Sequence, residues 1–133
     1  PKSSFSKTKG TSMQIKSYRD LLVWQKAMEL VVECYRYVDE LPKNETYGLI
    51  SQVRRAAVSV PANIAEGHGR DHLGDYLRHL SVANGSLMEL ETHLLLIGRL
   101  GYRPAEEAEP LLTKCSEVGK MLSSLSKSLR GVR

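Results

Sequence analysis

Apolar residues recur at three- and four-residue steps in four separate stretches of this chain, and nowhere do they alternate with the two-residue period of a strand. The first stretch runs from Tyr18 to Val38. There Trp24, Ala27, Met28, Val31, Cys34, Tyr35 and Val38 mark one side of an amphipathic helix. Ser17 is a capping residue for it, with Asp20 placed at the positive helix end, and Pro42 in the connection 39–44 closes it. The second stretch, from near Glu45 to Glu66, puts Leu49, Val53, Ala57, Val60 and Ile64 on one face. Pro61 inside it predicts a kink where the Ala57 carbonyl loses its donor; Gly67 and Gly69 predict the stop, and Asp71 the cap of the next helix.

The third stretch, His72 to Leu100, is the longest. Leu73, Leu80, Leu87 and Leu94 fall seven apart, interleaved by Tyr76 or Leu77, Ala83 or Asn84, Leu90 and Ile97. Gly85 and Ser86 in its middle predict close approach of another helix, and Gly101 predicts its end. The fourth stretch opens at Pro104 with Glu106 and Glu107 in its first turn. Pro110 makes that turn irregular, and Leu111, Leu112, Cys115, Val118, Leu122, Leu125 and Leu129 continue the stripe. Four amphipathic helices joined by short loops predict an all-α fold, an antiparallel up-down four-helix bundle.

With 133 residues and no internal repeat, the chain reads as one domain over 13–133. Residues 1–12, PKSSFSKTKGTS, hold no acid and no periodicity; they read as a disordered leader of the kind an expression tag leaves. No apolar run approaches the ~20 residues that span a bilayer, and no signal-peptide pattern is present. Cys34 and Cys115 fall at apolar helical positions, the places of reduced core residues in a cytoplasmic protein.

The net charge of +4 is carried by the two ends of the chain. Lys2, Lys7 and Lys9 precede every acid, and Lys127, Arg130 and Arg133 come after the last one, so the body between them holds 13 basic against 15 acidic groups. An anionic partner would therefore be met by a local patch or the basic tail, not by a global field.

The residues that would carry catalysis are missing. His72 and His79 lie seven apart on one helix, but the Glu-x-x-His pairs of di-metal bundles do not occur, so the histidines read as surface residues. The cysteines stand singly, without zinc spacing or a basic neighbourhood. The segment GHGR at 67–70 offers backbone donors for a phosphate, with Asp71 competing, but it is no P-loop. No catalytic residue, metal ligand or cofactor is expected.

A selective row of polar groups does stand out. Gln52, Arg55, Ser59, Asn63 and Glu66 share a flank of the second helix at about 100° per residue. They form an ordered set of amides, hydroxyl, guanidinium and carboxylate, suited to a subunit interface or a ligand.

The segments SYRDLLVWQKAMEL (17–30), P-x-x-E-x-x-G-L-x-x-Q-x-R-R-A-A-x-S-V-P-A-N-I-A-E-G-x-G-R (42–70) and GSLMELETHL (85–94) resemble the bacterial four-helix-bundle proteins encoded in intervening sequences of 23S ribosomal RNA genes. That family resembles in turn the accessory variability determinant protein of diversity-generating retroelements, a ring-shaped pentamer that contacts RNA and reverse transcriptase. The resemblance implies a cytoplasmic bundle that acts by binding and not by catalysis. It implies a homo-oligomer, a pentamer, with RNA or an RNA-handling protein as partner and no membrane. The retroelement protein is strongly basic at its surface, whereas the body of this chain is slightly acidic. On this reading Arg54, Arg55, Arg70, Arg78, Lys127 and Arg130 supply phosphate contacts. The alternative is a purely structural homo-oligomer, or an adaptor between proteins, whose subunit interface is the polar row on the second helix.

Overall fold

The computed structural model describes residues 14–131. The leader and Arg133 lie outside the described residues. Four α-helices account for most of the rest: α1 (Leu22–Val38), α2 (Leu49–His68), α3 (Leu73–Arg99) and α4 (Glu109–Arg130). Short 3-10 turns at Tyr18–Asp20, Lys43–Glu45 and Ala105–Ala108 stand before α1, α2 and α4. Successive helices run antiparallel around one core, so the expected all-α four-helix bundle is the fold. No described helix is long and apolar enough to cross a membrane.

The helix starts differ from the pattern-based expectation for a local reason. Ser17 and Asp20 form a reciprocal capping box, but it closes the 3-10 turn; Leu21 is extended, and α1 begins at Leu22. Likewise α2 starts at Leu49, four residues later than expected. The Glu45 carboxylate caps it from a distance, accepting the Leu49 N–H at 2.9 Å. Ahead of α4, the irregularity expected from the prolines is the 3-10 turn, and Pro110 sits in the first turn of the helix proper. The cap of α3 is His72, with no side-chain bond, and not Asp71.

The heptad spacing holds along α3. Tyr76, Leu80, Ala83, Leu87, Leu90, Leu94 and Ile97 are all buried, with Tyr76 and Ala83 taken over Leu77 and Asn84. The face of α1 is rotated from the expected one. Val23, Ala27, Leu30, Cys34, Tyr37 and Val38 are buried, whereas Met28 and Tyr35 are exposed and Trp24 is half-buried, edge-on to Tyr18. Apolar residues cover more than half of this helix's circumference, so periodicity alone leaves its inward direction open.

Glycine placement is also corrected. Gly85 itself is exposed with open space where a Cβ would stand, whereas its neighbour Ser86 does meet another helix, its hydroxyl 2.8 Å from that of Ser59 on α2. Close approach occurs at Gly67, which lies inside α2 and is buried. A Cβ there would stand 2.7 Å from the His79 Cβ of α3. Gly101 ends α3 as expected: its φ of +79° suits glycine, and Tyr102 and Gly101 donate to the carbonyls of Ile97 and Gly98, closing the helix with a Schellman motif.

Cys34 and Cys115 are free and buried in the core. Burial, together with the smaller effect of the Glu33 charge, pushes the Cys34 thiol up to about 12, and burial raises Cys115 as well, so both are inert as nucleophiles at neutral pH.

Candidate functional site, an α3–α4 groove at one end of the bundle

Polar side chains of α2 and α3 meet in a seam that the sequence presents only by halves. Ser86 Oγ of α3 donates to Ser59 Oγ of α2 at 2.8 Å. Asn63 Nδ2 donates to the Ser59 hydroxyl at 3.0 Å and to its carbonyl at 2.9 Å. The Asn63 carbonyl oxygen accepts from His79 Nδ1 at 3.0 Å, and Nε2 is left facing the Arg78 guanidinium at 3.4 Å. His79 is thus a buried residue, only 5% exposed, and not the surface histidine expected from its spacing. Asn63 supplies the partner that lets an imidazole sit in the interior.

This seam divides the polar row of α2. Ser59 and Asn63 are half-buried and committed to α3 of their own chain. Gln52, Arg55 and Glu66 are exposed, and Glu66 accepts from Arg70 at 2.7 Å. The row is therefore not one continuous outward surface, because its middle turns toward α3 and hydrogen-bonds with it.

The six cations expected to meet phosphate fall in two groups. Arg54 and Arg55 lie in the first half of α2, where Arg54 packs its guanidinium over the Tyr35 ring at 5.0 Å, with Nε buried. Arg70, Arg78, Lys127 and Arg130 gather at the opposite end, where α2 finishes, α3 begins and α4 finishes. The backbone donors of the GHGR segment are not available to a phosphate there. Gly67 and His68 belong to α2, and the N–H groups of Gly69 and Arg70 donate to the carbonyls of Ala65 and Gly67.

At that end residues of α3 and α4 line an open groove of about 220 Å³. Its apolar floor is Leu77, Leu80 and Leu122; Ser81, Asn84, Ser123 and Ser126 line its sides, and Lys127 and Arg130 stand at its rim. Two of the expected phosphate contacts are thereby brought together with four hydrogen-bonding side chains that sequence reading missed. A signal for them existed in α4. Ser123, Ser126, Lys127 and Arg130 come at three-, four- and seven-residue offsets, a polar flank beside the Leu122–Leu129 stripe. The partner helix was not readable, since Ser81 and Asn84 acquire meaning only opposite that flank.

Among the described residues, no group of three or more His, Cys, Asp and Glu is placed to hold a metal ion. The model of the family described as 23S rRNA-intervening sequence protein matches residues 19–124, which spans all of α1, α2 and α3 and most of α4. The chain belongs to that family. The groove lies mostly within the matched span, with Ser126, Lys127 and Arg130 just beyond it. A crystal structure of a protein of unknown function from the S23 ribosomal protein family of Bacteroides thetaiotaomicron VPI-5482 is similar to this family member. It shares 26% identity and a TM-score of 0.71, covering 80% of this chain and 99% of the other. No curated protein matches the chain.

Proposed function

We propose that this family member is a non-enzymatic interaction protein that assembles into a ring-like homo-oligomer and binds structured RNA through the basic end of its bundle. The observation that supports RNA most is the groove, where Lys127 and Arg130 meet hydroxyl and amide groups over an apolar floor. Phosphate oxygens accept from cations and hydroxyls alike, and such contacts position a nucleic acid without reading its sequence. Arg70 and Arg78 extend the cationic surface at the same end, although Glu66 already engages Arg70. The test is RNA retention against ionic strength. Affinity should fall steeply as salt is raised, each neutralised phosphate adding about 0.9 to the log–log slope for a duplex and about 0.7 for a single strand. Failure to retain any RNA at low ionic strength overturns the reading.

The alternative, a purely structural oligomer or protein adaptor, draws on different residues. Met28, Val32 and Tyr35 are exposed on α1, while Met88, Leu95, Leu96 and Leu100 are exposed on and just after α3, the last at 55%. Two distinct apolar faces suit a head-to-tail contact, which closes into a ring when the rotation allows. With Ser59 and Asn63 used internally, these faces replace the polar row as the candidate subunit interface. The resemblance implies five copies. Light scattering checks both points: Leu95→Glu with Leu96→Glu should reduce an oligomeric mass to that of one chain.

A further inference from the structure

We infer that the α3–α4 groove receives a single unpaired nucleotide, so that the RNA is held at a loop, bulge or end and not along a duplex. This rests on the RNA-binding reading and narrows it. The floor is the first reason. Leu77 is half-buried and offers apolar surface, and Leu80 and Leu122, at 1% and 2% exposure, close the groove behind it, so its base is small, apolar and continuous with the core. A phosphate alone has no use for such a floor; the flat face of an unstacked base or the apolar side of a ribose does.

The second reason is size. At about 220 Å³ the open groove falls below the ~300 Å³ at which pockets begin to enclose drug-sized ligands, so it seats part of one nucleotide, its base or its sugar, with the rest outside, and not a stack. A paired base keeps its flat faces stacked inside the helix and cannot lay one on such a floor; a duplex offers a protein its phosphates, 2′-hydroxyls and base edges instead.

The third is the order of chemistry along the groove. Lys127 and Arg130, three residues apart on α4, share one helix face and can both reach one phosphate. Asn84 stands across on α3, and its amide carries both a donor and an acceptor, the pair needed to meet a base edge. Cation, floor and amide thus match phosphate, sugar or base face, and base edge. No aromatic side chain lines the groove, so the binding is expected to tolerate different bases and to be weak for each site. Repetition around an oligomer would multiply it.

The experiment uses the full chain at low ionic strength and fluorescence anisotropy. The probes are a labelled single-stranded RNA decamer, a hairpin whose loop carries unpaired residues, and a fully paired duplex of the same stem. The decamer and hairpin should bind at least tenfold more tightly than the duplex. Adenosine monophosphate should compete with the decamer where an equal concentration of inorganic phosphate does not. Ser81→Trp, which fills the groove from an exposed position, should weaken decamer binding at least tenfold while the thermal midpoint stays unchanged. Should that variant unfold, Asn84→Ala gives the same reading with a smaller expected loss of about threefold. Equal binding of duplex and decamer, equal competition by inorganic phosphate, or full affinity in the groove-filled protein overturns the nucleotide while RNA binding stands. Absence of binding by all three RNAs removes both together.

Discussion

The two ends of this bundle are built on opposite plans. Where α1 finishes, α2 begins and α3 turns into α4, the charges at residues 39–45 and 99–109 number six acidic to three basic, and side chains lace the two loops together. Arg103 Nη1 donates to the Tyr37 carbonyl at 2.7 Å, its guanidinium lies over the Tyr37 ring at 4.3 Å, and its remaining nitrogens engage Glu107. The Tyr102 hydroxyl donates to Glu45 at 2.7 Å, and Glu45 caps α2 with its other oxygen. At the far end, residues 16–20, 66–78 and 127–130 hold six basic to four acidic groups, and the groove lies open. There the helices are held by backbone proximity at Gly67 and by the polar seam. One end commits its polar groups to holding the fold; the other lines an open groove with cations and hydroxyls.

Arg103→Ala should break this contrast most. It removes charge-assisted bonds and strands the Tyr37 carbonyl, for an expected loss of about 2–3 kcal/mol in chemical denaturation. Hydrogen exchange should quicken at the finish of α1 and the start of α4 while the open end is unaffected.

Gly67→Ala attacks the open end. Alanine favours a helix by about 1 kcal/mol, but its Cβ meets the His79 Cβ, which moves only with its backbone. Overpacking of about 1–3 kcal/mol offsets that gain, for a net loss of up to about 2 kcal/mol in chemical denaturation.

A smaller, pH-dependent effect marks Glu45. The Leu49 N–H, and after it the Tyr102 hydroxyl, hold its carboxyl below the ordinary 4.5. Because the folded value is the lower one, its stabilisation is present above about pH 4.5 and is lost as pH falls through the folded value. Melting midpoints of the native protein and of Glu45→Gln should differ at pH 6 and converge in acid.

The smallest stability effect belongs to Lys127→Ala and Arg130→Ala. Exposed positions of this kind change folding by under about 0.5 kcal/mol, yet both variants should lose RNA affinity and reduce its salt slope. A large fall in stability with either would make them part of the scaffold and erase the distinction between the ends.

Much of the architecture was legible in the chain. The seven-residue spacing of Leu80, Leu87 and Leu94 on α3, with Leu73 half-buried at its start, the Val53–Ile64 face of α2 and the stop at Gly101 are local patterns, and they reappear in the fold. The direction of α1 was not legible, because Met28 and Tyr35 satisfy the period as well as Leu30 and Tyr37 do. Nor was Arg103, whose partners lie 66 residues away at Tyr37 and one turn on at Glu107.

Period, caps and turn residues act within a few neighbours, so the order of residues by itself determined four helices, their approximate limits and an up-down course. Tertiary structure decided which polar groups face inward and which face out. Ser59 and Asn63 look like Gln52 and Arg55 on a helical projection, and only the nearness of α3, admitted by the missing side chain at Gly67, turns the first pair into a half-buried seam with His79. The groove has the same origin: neither α3 nor α4 contains it, and it exists only where residues of both helices face each other at one end of the bundle.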